Sequence, residues 1–484
     1  MSTFLKNVGK LVSGTVFAQI IGLLLTPIIT RLYLPDDFGV YQLFLSINGI
    51  IVIFAALSYE RAILLPEDDK DSAGIAVFCM ILITTISLII GGIVFLFSNE
   101  IGDALNTPQI SPVLIYLPAA ILVTSLISVG NLWLSRRKRF GGIAAAQIVN
   151  SVTSKVAQIG GGFLSAASFG LVVGWIVGSG ASLVVLLSQV KDDVLLFKTV
   201  TRATIKNIAI RYKNFPLYAS WSALANSIST SLAPFFLAYF FTPTIVGNYS
   251  IANMVVLLPM NLVGNATSQV FYQRACEERN RKGNIAGIVR EIQQRLISIG
   301  MLPMFILLII GPELFSFVLG SQWAVAGEYA GILAPWLLFV FIASPLGSIF
   351  NVLEKQAIGL TFNLLILISR FVILIIGGLS GDPIVTLVLF SGTGIFFWGG
   401  MNLYLLKISG VPYRLGIKDY LKYFLLALFI SIPLLITKFI SVSTIILLIV
   451  AGTFSLIYYS IIIYNDPVLK NTLLAAMRRS SYGR

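Results

Sequence analysis

Residues 31–43 read RLYLPDDFGVYQL, and they lie between two long apolar runs at about 11–33 and 38–59. Each run supplies the roughly 20 apolar residues that a helix needs to cross the hydrocarbon of a bilayer. The segment between them is therefore a turn at a membrane surface. It carries Arg31 at the end of the first run, the adjacent acids Asp36 and Asp37, and a P-x-x-x-G-x-Y spacing made by Pro35, Gly39 and Tyr41. The acids follow a proline and precede a helix, where carboxylates cap free N–H groups and meet the positive end of the helix dipole. Asp68, Asp69 and Asp71, and Asp382 before Pro383, read the same way.

Composition extends this reading to the whole chain. Of 484 residues, 57% are hydrophobic and only 11% are charged, against roughly 25% charged in a soluble domain. So few charges cannot cover a water-facing surface, and most of the exterior must face lipid. The first run is too long and too poor in a small-residue cleavage site for a signal peptide, and reads as a retained anchor. Fourteen candidate spans follow, at about 11–33, 38–59, 72–98, 111–134, 142–164, 166–189, 214–238, 244–269, 294–318, 324–349, 357–378, 383–406, 422–439 and 442–463. The breaks near Ser165–Ser168 and Ser441 are the least marked, and twelve spans are the fallback.

Charge tests the count. With the N-terminus in the cytoplasm, 29 of the 33 basic residues fall in the segments assigned to that side. Arg31 and Lys438 fall opposite, and Lys155 and Arg370 fall inside spans. The positive-inside rule thus supports an even number of spans with both termini cytoplasmic. The net charge of +13 then reports sidedness and not nucleic-acid binding. The basic stretch ATIKNIAIRYKNF (203–215) reads either as an ordinary inner loop or as a helix lying on anionic membrane lipids.

The opening turn recurs. At an offset of 208 residues, YLPDDFGVY (33–41) lies over FTPTIVGNY (241–249), so that Pro35, Gly39 and Tyr41 meet Pro243, Gly247 and Tyr249. RRKRFGG (136–142) lies over EKQAIGL (354–360) on the inner side. The expected fold is all-α and polytopic, with about 14 transmembrane helices. Two six-helix lobes, 1–190 and 214–407, form a parallel pseudo-repeat around a basic linker, 191–213. Two additional helices, 408–464, and a basic tail, 465–484, complete the chain.

Enzyme chemistry finds no foothold. The chain has no histidine and two cysteines, Cys79 and Cys276, which excludes histidine-ligated metals, histidine bases and a disulfide framework. No P-loop or nucleophile elbow is present. The informative residues are charges inside spans, which cost about 2.5–3.5 kcal/mol or more at mid-bilayer and so turn to a polar interior. Lys155 lies on a face with Asn150, Ser151, Ser154 and Gln158, which reads as a cavity wall. Arg370 sits in the middle of its span and reads either as a cavity residue or as a buried structural ion. Arg31 either snorkels to the headgroups or joins Gln19, Thr26 and Thr30 toward a cavity. Glu60 and Arg61 are adjacent and so face different partners. Tyr218, Ser222, Asn226, Ser229 and Thr230 in the seventh span, and Asn253, Asn261, Asn265 and Gln269 in the eighth, form polar stripes. Such stripes suit a carbohydrate face or hydrogen bonding between helices. Prolines within spans, Pro259 among them, suit helices that bend as a cavity opens to alternate sides.

The stretches SGTVFAQIIGLLLTPIITRLYLPDDFGVYQLFLSI (13–47) and LSRRKRFGGIAAAQIV (134–149) resemble the first helix pair and the inner turn of polysaccharide biosynthesis transporters. These are the O-antigen and capsule-unit flippases of the multidrug/oligosaccharidyl-lipid/polysaccharide exporter superfamily. The resemblance runs over about residues 5–465. It implies a cationic central cavity and flipping of an undecaprenyl-pyrophosphate-linked repeat unit from the inner to the outer leaflet of the bacterial cytoplasmic membrane. It implies alternating access driven by an ion gradient or membrane potential, with no cofactor. It points to Arg31 and Arg61 as phosphate contacts. It also implies the polymerase and chain-length regulator of the same pathway as partners. A drug or small-cation exporter of the superfamily, or a polysaccharide polymerase or ligase, is the alternative. The lack of mid-span acids weighs against the first, and the short outer loops against the second.

Overall fold

A computed structural model describes residues 3–259 and 264–465. All of its regular structure is helical among the described residues. It divides into two compact units, Met1–Ser250 and Ile251–Arg484.

Unit 1 contains α1 (Thr3–Leu32), α2 (Pro35–Ala55), α3 (Asp69–Ala104), the short α4 (Ser111–Leu114), α5 (Leu117–Arg136), α6 (Phe140–Phe163) and α7 (Ala167–Gln189). After these come α8 (Val194–Lys198), α9 (Arg202–Arg211), α10 (Ser220–Phe240) and the start of α11 (Pro243–Pro259). Unit 2 holds the remainder of α11, α12 (Asn265–Lys282), α13 (Ala286–Leu319), α14 (Ala324–Leu346), α15 (Ile349–Val352), α16 (Gln356–Leu379), α17 (Pro383–Ile408), α18 (Tyr413–Phe439) and α19 (Thr444–Asn465).

Every expected span meets one of these helices. Among the described residues, twelve are long and apolar enough to cross a membrane. The other two expected spans are α6 and α11. Helix α6 is 24 residues long but too polar to qualify, because Gln147, Asn150, Ser154, Lys155 and Gln158 interrupt it. Among the described residues, helix α11 is apolar over Pro243–Leu258 but shorter than a span. The expected span 244–269 continues through 260–263, so Asn261 lies outside the described residues. The two weakly marked breaks are real turns. Ser165 and Ala167 have φ of 54° and 46° between α6 and α7, and Ser441 has φ of 56° between α18 and α19. The left-handed region stops a helix and reverses the chain within a few residues.

Exposed leucines, isoleucines and phenylalanines cover much of the outside, as lipid-facing helices require. Close helix pairs are made by small residues, since lipid supplies no hydrophobic drive for helices to associate. In unit 1, α7 presents Gly170, Gly174 and Gly178 to α6, so near that a Cβ at Gly174 would come within 2.6 Å of the Gln158 backbone nitrogen. In unit 2, α13 packs on α14, α18 and α19, and α14 on α17. Helix α13 contains Pro303 and Pro312 and departs from helical geometry at Ile310 (φ −123°, ψ 23°). Pro312 has no N–H to give, and its ring crowds the preceding turn.

The acids largely do what their positions require. Asp37 Oδ2 accepts from Leu34 N at 3.0 Å to cap α2, Asp68 accepts from Lys70 N at 3.0 Å, and Asp382 accepts from Ile384 N at 2.8 Å. Asp36 instead accepts from the Thr244 hydroxyl. That bond joins the two copies of the repeated turn. A Cβ on Gly39 would overlap the Pro243 carbonyl, and a Cβ on Gly247 would overlap that of Pro35. The P-x-x-x-G spacing is therefore a reciprocal crossing. In each copy the glycine receives the other copy's proline carbonyl.

Candidate functional site

The structure gathers six sequence-predicted residues, Gln19, Asn150, Ser151, Ser154, Lys155 and Gln158, on one cavity of about 430 Å³ in unit 1. Their register follows from α6. Residues 147, 150, 151, 154, 155 and 158 recur at helical spacings of three and four and form one polar face. Helix α1 contributes Thr15, Gln19 and Gly22, and α5 contributes Asn131. Two aromatic side chains, Tyr41 and Trp175, complete the wall. Tyr41, expected only to shape the outer turn, thus also lines the cavity. Trp175 was not among the expected residues. It stands next to Gly174 of the glycine stripe, and that stripe is the sequence signal from which it could have been found.

The polar face is partly pinned. Tyr33 OH donates to Gln158 O at 2.6 Å, and Gln158 Nε2 donates to Leu171 O at 3.0 Å. Lys155 Nζ donates to Gln158 Oε1 at 3.3 Å. Gln158 is therefore locked through its backbone and its amide N–H, and its oxygen orients the ammonium. Across the helix pair, Ser151 Oγ donates to Ala18 O at 2.6 Å and Thr15 Oγ1 donates to Gln147 Oε1 at 2.6 Å. Among the described residues lining the cavity, Lys155 is the one charged group, and no carboxylate is present. The wall offers hydroxyl and amide groups, two aromatic faces and a single cation.

The other expected residues lie elsewhere. Arg31 is exposed in the last turn of α1 and is not among the lining residues. Arg61 is exposed in the turn Tyr59–Leu64, while Glu60 beside it turns inward. Glu60 Oε2 is buried with no hydrogen-bond partner among the described residues, and burial pushes this carboxyl above its usual range. Asn226 is exposed on α10 and is not a lining residue. Asn253 is half-buried on α11 in unit 2. Pro259 is the last residue of α11. Arg370, also in unit 2, places its guanidinium 5.4 Å from the Trp336 ring centroid and 5.7 Å from that of Phe390. A guanidinium over aromatic rings is a cation–π arrangement, and the two rings also meet each other edge to face with centroids 5.1 Å apart.

The basic turn after α5 is internally satisfied. Arg136 Nε pairs with Asp69 at 2.9 Å, while its Nη1 and Nη2 donate to the carbonyls of Pro66 and Glu67 at 2.6 and 3.0 Å. Arg137 bridges Asp69 and Asp193, and Arg139 reaches Asp193 at 3.2 Å. Asp193 is only 2% exposed and also accepts from the Trp133 indole at 3.1 Å. The acids at 69 and 193 thus clamp this turn. Helix α9 is held too. Thr201 caps it, Ile208 is buried toward Gly74 of α3, and Tyr59 OH donates to Ala209 O at 3.0 Å.

These features define a polytopic all-helical membrane protein with the fold of the MOP superfamily. The backbone matches the lipid II flippase MurJ in an inward closed conformation with a TM-score of 0.71 and 18% identity, covering 94% of this chain and 99% of that one. It matches an inward-facing multidrug resistance MATE family transporter at 0.58 and 16% identity, over 81% and 96% of the two chains. An outward-facing structure of a transporter of that kind matches at 0.51 and 16% identity, over 84% and 96%. No curated protein matches the chain. Residues 28–328 match the model of the polysaccharide biosynthesis protein family, and the chain belongs to that family. The resemblance drawn from residues 13–47 and 134–149 is thereby borne out.

Proposed function

We propose that this chain flips undecaprenyl-pyrophosphate-linked oligosaccharide repeat units from the inner to the outer leaflet of the bacterial cytoplasmic membrane, by alternating access and without ATP hydrolysis. The units would serve O-antigen, capsule or exopolysaccharide synthesis and pass outside to the polymerase and chain-length regulator. The observation that carries this reading is the acid-free cavity around Lys155. Amides and hydroxyls exchange hydrogen bonds with sugar hydroxyls, and aromatic faces take the apolar faces of sugar rings. A lone ammonium attracts an anionic group. A cation exporter would need a carboxylate to desolvate its cargo, and the described lining has none.

In this reading Arg31 and Arg61 meet the phosphates near the two membrane surfaces, and Arg370, Asn226 and Asn253 contact the cargo along its route. The crossing of Pro35–Gly39 with Pro243–Gly247 is the outer gate, which opening breaks together with the Asp36–Thr244 bond. Pro259 is the bend that accompanies it. The likeness to a lipid II flippase and the membership of a polysaccharide biosynthesis family support a lipid-linked cargo. Both termini are proposed to be cytoplasmic, with an ion gradient or the membrane potential as driving force.

Gene deletion should leave lipid-linked units facing the cytoplasm. Complementation by Lys155→Ala should restore export about 10- to 150-fold less well than the native chain, the loss of one charge-assisted contact of about 1.5–3 kcal/mol. Arg31→Ala and Arg370→Ala should also complement poorly. Full complementation by all three would refute the cationic route.

A further inference from the structure

We propose that unit 2 carries a resident anionic phospholipid between α13, α18 and α19, its phosphate held at Lys422 and Arg295. A cavity of about 400 Å³ opens there, distinct in its residues from the unit 1 cavity. Its lining is graded. Arg295 of α13, Lys422 and Tyr423 of α18, and Asn465 at the end of α19 supply the polar part. Leu426, one turn further along α18, and Ile461 and Ile462 of α19 supply the apolar part. At 1.5 Å rise per residue, Lys422 to Leu426 is about 6 Å, roughly the step from a phosphate to the start of its acyl chains.

The charges favour one phosphodiester. Arg290 is engaged by Asp419 at 3.0 Å, and Gln294 Nε2 donates to the same carboxylate at 2.8 Å, so Asp419 is neutralised beside the cavity. Glu291 pairs with Arg295 at 2.8 Å. A guanidinium has five donors and can hold a carboxylate and a phosphate together. Lys422 lies 5.2 Å over the Tyr423 ring and enters no ion pair among the described residues. The charged groups of the lining, Arg295, Lys422 and Glu291, sum to one positive charge, which matches a monoanionic headgroup and falls short of a pyrophosphate.

The approach is basic as well. Arg414, Lys418 and Lys422 recur at intervals of four on α18 and are all exposed, forming one stripe that leads to the cavity. Such a stripe at a membrane surface attracts anionic lipid. The site rests on the orientation proposed above, which puts this end of α18 at the anionic inner leaflet, and not on the identity of the cargo.

The test is native mass spectrometry of the full chain in detergent, titrated with phosphatidylglycerol or with phosphatidylcholine of the same acyl chains. Phosphatidylglycerol should be retained preferentially. Lys422→Gln should weaken it about fivefold, the effect of one basic residue at an anionic surface, and leave phosphatidylcholine unchanged. Leu426→Trp, which fills the apolar part without altering charge, should also reduce phosphatidylglycerol retention. Equal retention of the two lipids, or unchanged retention in both variants, overturns the site. Release by millimolar inorganic phosphate would make it a free-phosphate site, and preferential displacement by undecaprenyl pyrophosphate would make it a cargo site. Either result also overturns the proposal. The Lys155→Ala chain should keep full phosphatidylglycerol binding, so a failure of the transport reading and a failure of this one are seen separately.

Discussion

Gly39→Ala tests the crossing of the two repeated turns with opposite signs for opposite causes. Gly39 lies within α2, where alanine in place of glycine favours an isolated helix by about 0.8–1 kcal/mol. Tertiary contact works the other way. The new methyl would overlap the Pro243 carbonyl, which is backbone and cannot rotate aside. Overpacking of this kind costs about 1–3 kcal/mol, and parting the turns also loses the Asp36–Thr244 bond, worth about 0.5–1.5 kcal/mol at this exposed site. The net expectation is a destabilisation of about 1–3 kcal/mol, read by equilibrium unfolding in mixed micelles. Gly247→Ala should behave alike, since its methyl would overlap the Pro35 carbonyl. The double variant should cost clearly less than the sum, because the first methyl has already separated the turns that the second would push apart. Gly160→Ala in α6 is the control, as nothing lies within 4 Å of its added Cβ, and it should be neutral or stabilising. If Gly39→Ala stabilises the chain as Gly160→Ala does, or if the two crossing variants add, the crossing is not a tight contact.

Two further outcomes follow from groups at the basic ends of the helices. Asp193→Ala removes the buried partner of Arg137, Arg139 and Trp133 and should destabilise by about 3–5 kcal/mol. Asp192→Ala, at an 88% exposed neighbour, should cost under about 1 kcal/mol in the same unfolding assay. Glu60 has a raised carboxyl pKa in the folded chain because burial disfavours its charge. Folding then holds the proton more tightly than the unfolded state. Its stabilising contribution is present below the unfolded pKa and is lost as pH rises through the folded one. Glu60→Gln should therefore stabilise the chain above that window and flatten the pH dependence of unfolding. An unaltered pH profile would show that Glu60 is solvated.

Much of the fold was legible because a bilayer imposes a length and a polarity on every segment. Each of the fourteen expected spans meets a helix, twelve of the helices among the described residues are long and apolar enough to cross a membrane, and α6 could be told from the others by the amides, hydroxyls and Lys155 that keep its hydropathy low. Those residues share one helical face, so Asn150, Ser151, Ser154, Lys155 and Gln158 could be named from spacing alone. Tyr41 and Trp175 were not named as lining residues. Their place in the wall depends on how α2 and α7 are rotated against α6, which local spacing does not encode.

The sequence by itself determined the helices, the capping acids, the repeat of the outer turn and the polar face of α6, because each depends on neighbours within a few turns or on a detectable internal match. Only the tertiary structure decided what those parts meet. It turned the P-x-x-x-G repeat into a reciprocal crossing and set the α7 glycines against Gln158. It put Arg136, Arg137 and Arg139 onto Asp69 and Asp193, and set Arg370 over the rings of Trp336 and Phe390. The physical reason is that a long charged side chain reaches several ångströms and takes whichever acid, carbonyl or ring the packing of other helices brings near. In this chain those partners lie 20 to 70 residues away, and only the fold brings them together.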